Sequence, residues 1–372
     1  MLNIGITGKS GFIGKYLFNV LKLFPNEFNI IEFDRTFFGN TTKLNYFVSK
    51  CDVIVHLAAL NRHNEQRVIY DVNIGLVQRL VNALTLTESK CHVIYTSSTQ
   101  EDNESLYGKS KREGRDLFTE WAKNSKGKFS GLIIPNVFGP FGRPNYNSVV
   151  ATFCHKLSRN EVPKIEHDIK LNLIYIGELV DEIVKEIRQG AGNEKRLIPH
   201  TWETTVSELL SLLKTYKIMY QDNGEIPDIK NPFELNLFNT FRCFIDMETH
   251  FPVKLTEHND ARGSFVEVIR LGVGGQVSFS STKPNITRGN HFHTRKIERF
   301  AVINGKALIQ MRRIGTNEVL DFYMDGNDPS YVDMPIWYTH NITNIGDKVL
   351  YTIFWINEPY ITSDPDTYFE KV

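Results

Sequence analysis

The chain has 372 residues, enough for two domains that each bury a core of their own. Its 43 basic and 43 acidic residues balance, which removes the field that nucleic acid or an anionic membrane would read. Four cysteines, Cys51, Cys91, Cys154 and Cys243, lie far apart with no CxxC pair, which argues against a disulfide framework and for a reducing compartment.

No apolar run reaches the length of a membrane span. The opening Met1–Gly8 is strand-like, where a secretory leader would be basic and then apolar, so a cytoplasmic protein is expected. Leu2–Thr7 reads as a short buried strand, and Gly8-Lys9-Ser10-Gly11-Phe12-Ile13-Gly14 opens a helix to about Leu23. The glycines leave room for a tight turn and for backbone to approach a pyrophosphate, which the helix N-terminus then stabilises. A strand before and a helix after give the turn this meaning. Asn29–Phe33 is the next strand, ending in Asp34 and Arg35. A carboxylate there takes the adenosine ribose hydroxyls of NAD, and an arginine can meet the 2′-phosphate of NADP, so the cofactor choice is open.

Asp52–Ala59 is a buried strand whose closing alanines, Ala58 among them, let backbone run close to a cofactor. Val68–Leu86 has helical period and carries Asn73, either a polar cofactor-side residue or a plain helix-surface position. His92–Ser98 ends in hydroxyls, and Tyr107 and Lys111 follow, four apart and so on one helix face. The lysine cation is expected to lower the tyrosine pKa, so that the phenol exchanges a proton near neutral pH. Ser98 can hold a substrate carbonyl, with Thr99 as its competitor. Ser130–Asn136 is a further strand, and Pro144–Ser148 leads into a helix through about Arg159. Asn145 and Asn147 there either contact a nucleotide diphosphate or are solvated loop residues.

Asn172–Glu178, the helix after it and Val206–Tyr216 read as scaffold. Asp222–Phe244 lacks a sustained period and carries Pro227 and Pro232, which puts a domain boundary near 245 to 255. From Phe251 the texture changes to short alternating runs with Gly- and Asn-rich turns, at Gly263–Arg270, Gly275–Ser281, Phe300–Ile303, Ala307–Arg312, Val319–Tyr323 and Val349–Ile356. That spacing fits a small β-barrel. Within it, Gly289–Gly305 sets His291, His293 and Glu298 in the order H-x-H-x4-E. On an extended strand His291 and His293 share a face, and His340 with Asn344 arrives after Pro335. Three imidazoles and a carboxylate suit zinc, and can also suit iron, manganese or nickel.

These residues carry resemblances. The G-x-x-G-x-x-G spacing, the serine pair and Tyr107–Lys111 resemble the extended short-chain dehydrogenase/reductase family. Asn136 with Phe138-Gly139-Pro140 resembles the segment that borders the sugar-nucleotide pocket there, although Ile133 stands where many members have arginine. The histidine segments resemble the two motifs of the cupin superfamily, with Trp337 where glycine is usual. Over nearly the full length the chain resembles the bifunctional reductase–cupin enzymes of capsule and O-antigen biosynthesis. ITGKSGFIGK, HLAALNR, YGKSK, PNYNSVVATFC, the segment Asn259–Phe265, GNHFH, YTHNI and the terminal PDTYFEKV carry that likeness.

The resemblance implies a doubly wound α/β reductase domain over 1–245 and an all-β cupin domain over 251–372. It implies a UDP-linked 4-keto-6-deoxy-N-acetylhexosamine, epimerised at C3 by the cupin domain and reduced at C4 with NADPH. The product would be of UDP-N-acetyl-6-deoxy-L-talosamine type, and the enzyme a homodimer. Ser98, Tyr107 and Lys111 would then be catalytic. Gly8, Gly11, Phe12, Ile13, Gly14, Asp34, Arg35, Ala58, Asn73 and Lys111 would bind NADP(H), with NAD(H) the other choice. Asn136, Asn145 and Asn147 would meet the UDP-sugar, and His291, His293, Glu298 and His340 would hold a divalent metal, zinc first. Tyr338 and Lys296 are candidates for moving the C3 proton. The rival reading is a reductase alone, its cupin a metal-held dimerisation or sugar-binding module. A dehydratase is the weaker rival, since Thr99-Gln100 lacks the Asp-Glu pair of such sites and Glu101 comes one residue later.

Overall fold

The structure, a computed structural model, describes residues 1–261 and 263–372, the side chains of 263–265 excepted. Arg262 of the segment Asn259–Phe265 therefore lies outside the described residues, as do the side chains after it. Contacts divide the chain into two units, residues 1–152 with 167–206, and residues 153–166 with 207–372. Among the described residues no helix is long and apolar enough to cross a membrane.

The first unit alternates β1 (Leu2–Thr7), α1 (Phe12–Lys22), β2 (Phe28–Ile31), α2 (Thr41–Lys50), β3 (Val53–His56), α3 (Gln66–Leu86), β4 (His92–Ser98), α4 (Leu106–Lys123) and β5 (Lys128–Ile134). After these come β6 (Asn136–Phe138), α5 (Val149–Ser158), β7 (Lys170–Tyr175), α6 (Ile176–Gln189), β8 (Arg196–Leu197) and β9 (Trp202–Thr205). Six strands lie parallel in the order β2-β1-β3-β4-β5-β8. Covered on both faces by helices, such strands read as unbroken apolar runs, and Val53–His56 is buried throughout. Strand order reverses between β1 and β3, and in open parallel sheets that is where the chain leaves a crevice for a ligand. Gly8 has φ of +77°, and a Cβ on it would stand 2.7 Å from the Ala58 nitrogen. A Cβ on Gly14 would stand 2.3 Å from the Gly8 carbonyl oxygen. Only glycine fits either place.

The second unit takes the greater part of α5, from Phe153 onward, and then α7 (Val206–Tyr216), a π-helical turn at Lys217–Asp222, α8 (Pro232–Arg242) and α9 (Met247–His250). The sequence reading missed α8, taking Pro232 for a breaker. Pro232 is in fact at the first helical position, where no N–H is needed, and Asn231 Oδ1 accepts from the Glu234 N–H at 3.0 Å. The strands are β10 (Val253–Lys254), β11 (Glu257–Asp260), β12 (Gly263–Val266), β13 (Gln276–Thr282), β14 (Thr287–Phe292), β15 (Glu298–Asn304) and β16 (Lys306–Arg313), then β17 (Val319–Asp325), β18 (Ser330–Met334), β19 (Tyr338–Asn344), β20 (Leu350–Ile356) and β21 (Tyr368–Phe369). They form two antiparallel five-stranded sheets, β10-β18-β15-β20-β13 and β17-β16-β19-β14-β21, and the hairpin β11-β12. Ala307, Ile309, Met311, Val332 and Leu350 centre their core.

Strand texture begins at Val253, inside the window expected for a boundary, but the packing division falls earlier, at 206/207. A buried polar network explains why 207–245 packs with the sheets. Arg299 donates to Asp333 Oδ1 at 2.8 Å and to Oδ2 at 3.0 Å, and the pair is 1% and 0% exposed. Tyr220 donates to Asp333 Oδ2 at 2.7 Å, and Arg242 donates to the Tyr220 hydroxyl at 3.1 Å and the Met334 carbonyl at 2.9 Å. Charges out of water are tolerated only when partners replace the lost hydration, and the helical segment supplies them.

Candidate active site and candidate metal centre

In the first unit a cleft of about 630 Å³ opens at the β1/β3 reversal. The Gly8–Gly14 turn contributes Gly8, Gly11, Phe12, Ile13 and Gly14 to its wall, and Ser98, Tyr107, Lys111, Asn136 and Asn147 face them. Gly11 caps α1 without any side-chain hydrogen bond and the first turn carries no acid. Its N–H groups and the helix dipole therefore suit a phosphate, so the cradle fits a dinucleotide. Ser98, at the end of β4, lines the cleft, whereas Thr99 begins a short 3₁₀ turn, exposed and off the lining.

Tyr107 and Lys111 do share a face of α4, but their electrostatics reverse the expectation. Burial pushes the Tyr107 phenol up to about 12, with Tyr146 adding to the rise. Burial pulls the Lys111 ammonium down to about 8. Its Nζ donates to the Thr96 carbonyl at 2.9 Å, 4.9 Å from the centre of the Tyr95 ring and 5.9 Å from that of Tyr107. Desolvation exceeds the cation's pull at that distance. The tyrosine is therefore a protonated phenol at neutral pH, a donor rather than a base.

Other expected residues lie elsewhere. Ala58 is off the lining, and its backbone packs against Gly8 while Leu57 and Ala59 face the cleft. Asn73 is buried and clamps the loop after β3. Its Oδ1 accepts from the Leu60 N–H at 2.7 Å, and its Nδ2 donates to the Leu60 carbonyl at 3.1 Å and to Ser110 Oγ at 3.2 Å. Asp34 and Arg35 are exposed beyond β2, where Asp34 Oδ1 accepts from the Thr36 N–H at 2.8 Å, and neither lines the cleft. Asn145 is exposed and off the lining, its carbonyl accepting from Arg62 at 3.0 Å. Arg62 also donates to the Tyr146 carbonyl at 2.8 Å, and Asn147 Nδ2 donates to the Asn61 carbonyl at 3.3 Å, so two loops are tied. Arg62 and His63, in a loop with no period to reveal them, and Gln66, at the start of α3, line the cleft without having been expected. Glu101 is 0% exposed and ion-paired to Arg115 at 3.2 Å and Lys195 at 3.2 Å, off the cleft lining. It is no proton donor to a substrate there, which weakens the dehydratase reading.

In the second unit one nitrogen or oxygen from each of His291, His293, Glu298 and His340 lies within 4.8 Å of the others. Register brings them together: His291 of β14 stands opposite His340 of β19, past an irregularity between Gly289 and His291 that re-aims the strand. Glu298 opens β15. His293 Nε2 and His340 Nε2 approach Glu298 Oε2 to 3.0 and 3.1 Å, yet none of these buried atoms has a well-formed hydrogen bond. Their outer nitrogens are committed: His293 Nδ1 donates to the Asp366 carbonyl and His340 Nδ1 to the Tyr338 carbonyl, the latter at 3.1 Å. Both rings thus present an Nε2 lone pair to one point. Burial holds His291 at about 4, hence neutral, and the imidazoles hold Glu298 well below the usual carboxylate range despite its burial. Converging orphaned lone pairs with an anionic oxygen fit a divalent cation, zinc foremost. Of the two proton-transfer candidates, Lys296 spends its Nζ on the Pro365 carbonyl at 2.7 Å, and burial pushes the Tyr338 phenol to about 12.

Trp337 makes the turn a glycine would. It has φ of +62°, donates its N–H to the His293 carbonyl at 2.8 Å and stacks on Phe292 with centroids 5.5 Å apart. The buried indole offsets the left-handed strain. Trp337→Ala loses the stack and keeps the strain, and is expected to cost about 3–5 kcal/mol. Trp337→Gly is expected to cost about 1 kcal/mol less, reversing the usual order of the two residues. Unfolding midpoints of the pair in urea check this, and equal losses would remove the strain argument.

Comparison with known proteins follows the same division. A family model described as NAD dependent epimerase/dehydratase family matches residues 4–198, and one described as polysaccharide biosynthesis C-terminal domain matches 258–368. A UDP-2-acetamido-2,6-beta-L-arabino-hexul-4-ose reductase of Pseudomonas aeruginosa is 30% identical over 370 residues, 99% of this chain and 98% of the relative. The crystal structure of the capsular polysaccharide assembling protein CapF from Staphylococcus aureus is 34% identical with a TM-score of 0.63, covering 100% of both chains. RMD from Pseudomonas aeruginosa, solved with NADPH, covers 58% of this chain and 82% of its own at 17% identity and a TM-score of 0.53, a likeness of fold.

Proposed function

The chain belongs to the NAD dependent epimerase/dehydratase family, in the two-domain form of CapF, and from that premise we propose that it is a bifunctional nucleotide-sugar enzyme. Its first unit is an oxidoreductase that reduces the C4 ketone of a UDP-4-keto-6-deoxy-N-acetylhexosamine. Its second unit, whose two sheets we read as a cupin barrel, inverts C3 beforehand. The observation that carries the reading is the meeting of Ser98, Tyr107 and Lys111 with the Gly8–Gly14 turn in one cleft. The name of the Pseudomonas aeruginosa reductase, similar over the full length, supplies the substrate class.

The Gly8–Gly14 turn would hold NADPH, which would supply the hydride. Ser98 donates to the ketone oxygen and orients it, and Tyr107, protonated at neutral pH, gives its proton to the alkoxide as hydride arrives. Lys111 would bind the nicotinamide ribose, and NADPH would be preferred to NADH if Arg35, exposed beyond β2 and off the lining, meets the 2′-phosphate. A divalent metal held by His291, His293, Glu298 and His340 would supply Lewis-acid polarisation that makes the C3 proton acidic. A homodimer working in the cytoplasm completes the proposal.

The purified protein, given the 4-keto sugar in deuterated water, is expected to place deuterium at C3 without NADPH and to oxidise NADPH faster than NADH when either is added. No cofactor consumption would sink the reductase. Reduction without deuterium entry would leave a reductase whose second unit holds its metal for structure.

A further inference from the structure

The terminal PDTYFEKV, prominent in the sequence, has no part in the chemistry above. We infer that it is the support of the metal centre and that Asp366 is its positioning residue, an inference that rests on the metal reading just proposed. Asp366 is 2% exposed, and its two carboxylate oxygens and its carbonyl turn to the loop that carries His293. Oδ1 accepts from the Thr294 N–H at 3.0 Å and the Thr294 hydroxyl at 2.6 Å. Oδ2 accepts from the N–H groups of Arg295 at 3.0 Å and Lys296 at 3.1 Å. Its carbonyl takes the His293 Nδ1 proton, which fixes the ring's tautomer and heading.

The residues that follow reach two more ligands. β21 pairs with β14, setting Phe369 opposite His291 and Tyr368 opposite Phe292, whose rings stack with centroids 5.4 Å apart. The Glu370 N–H donates to the Asn290 carbonyl at 3.0 Å, and the Glu370 carbonyl accepts from the Thr339 hydroxyl beside His340. Three imidazoles, two on strands and one on the loop after β14, are thus braced by one short terminal segment. A loop with three of its N–H groups and one side chain bound to a single carboxylate has few ways to turn His293 aside. Without that carboxylate the ring must be ordered at the moment of metal capture, and affinity falls.

The test is competition for Zn²⁺ between a chromogenic chelator and the full chain stripped of metal, as the parent, Asp366→Ala and Thr294→Val. Asp366→Ala is expected to weaken Zn²⁺ binding by roughly 10–100-fold. Thr294→Val removes one hydroxyl contact and is expected to weaken it severalfold. Melting of the metal-free variants is followed alongside, because a segment that only holds the fold together would lower the melting temperature and leave the affinity of folded protein alone. Folded variants that bind Zn²⁺ as tightly as the parent overturn the inference and leave the metal reading standing. A parent that binds no Zn²⁺ removes the metal reading and this inference with it. Should Asp366→Ala not fold, Thr294→Val decides, unchanged affinity again overturning the assignment.

Discussion

Tyr107→Phe is expected to slow NADPH oxidation by the 4-keto sugar by about 10²–10⁴-fold, the usual worth of a positioned proton donor. The substitution removes one oxygen and keeps the half-buried ring, so packing changes little. Lys111 stays anchored, since its hydrogen bond goes to the Thr96 carbonyl and not to the phenol. Cofactor binding, followed by NADPH fluorescence, should therefore match the parent. So should deuterium entry at C3 without cofactor, because the imidazole cluster belongs to the other unit. Single-turnover decay of NADPH absorbance measures the effect. An unchanged rate would mean that the alkoxide takes its proton elsewhere, and loss of deuterium entry would break the division of labour between the units.

His291→Ala combined with His293→Ala should abolish metal binding at the proposed site. Two of four donors go, and those left, Glu298 and His340, cannot complete a tetrahedral shell. Elemental analysis of the purified variant should find metal lost, and C3 exchange should vanish with it. Reduction of a sugar already inverted at C3 should persist, since the cleft at Ser98, Tyr107 and Lys111 draws nothing from these histidines. Metal content equal to the parent's would remove the assignment. Metal lost with exchange intact would make the ion structural and send the search for the C3 chemistry to other side chains.

What the sequence made legible was whatever depends on local spacing. The Gly8–Gly14 turn, the Tyr107–Lys111 pair and the histidine pair at 291 and 293 are set by neighbours a few residues away, and strand or helix geometry carries them into place. Burial is different, because it depends on distant parts of the chain. The Tyr107 phenol rises although the lysine suggested a fall, and Asn73, an ambiguous helix position in sequence, is enclosed by Leu60 and Ser110. Ala58 was expected at a cofactor and instead accommodates Gly8. Pro232 misled because proline breaks a helix interior yet begins a helix well, and only its capping asparagine tells the two apart. Asp366 lies far along the chain from the loop it binds, and no spacing rule reaches that far.

The ring of contacts among Arg299, Asp333, Tyr220 and Arg242 bears on how such a protein can be inherited in pieces. A crossover at the first strand of the second unit would separate the acid–base pair from the phenol and guanidinium that shelter it, and the orphaned charges would disfavour the recombinant. The segment that could travel intact between genes thus starts at the helices preceding the strands. A histidine cluster borrowed by another lineage would have to arrive with those helices at its front.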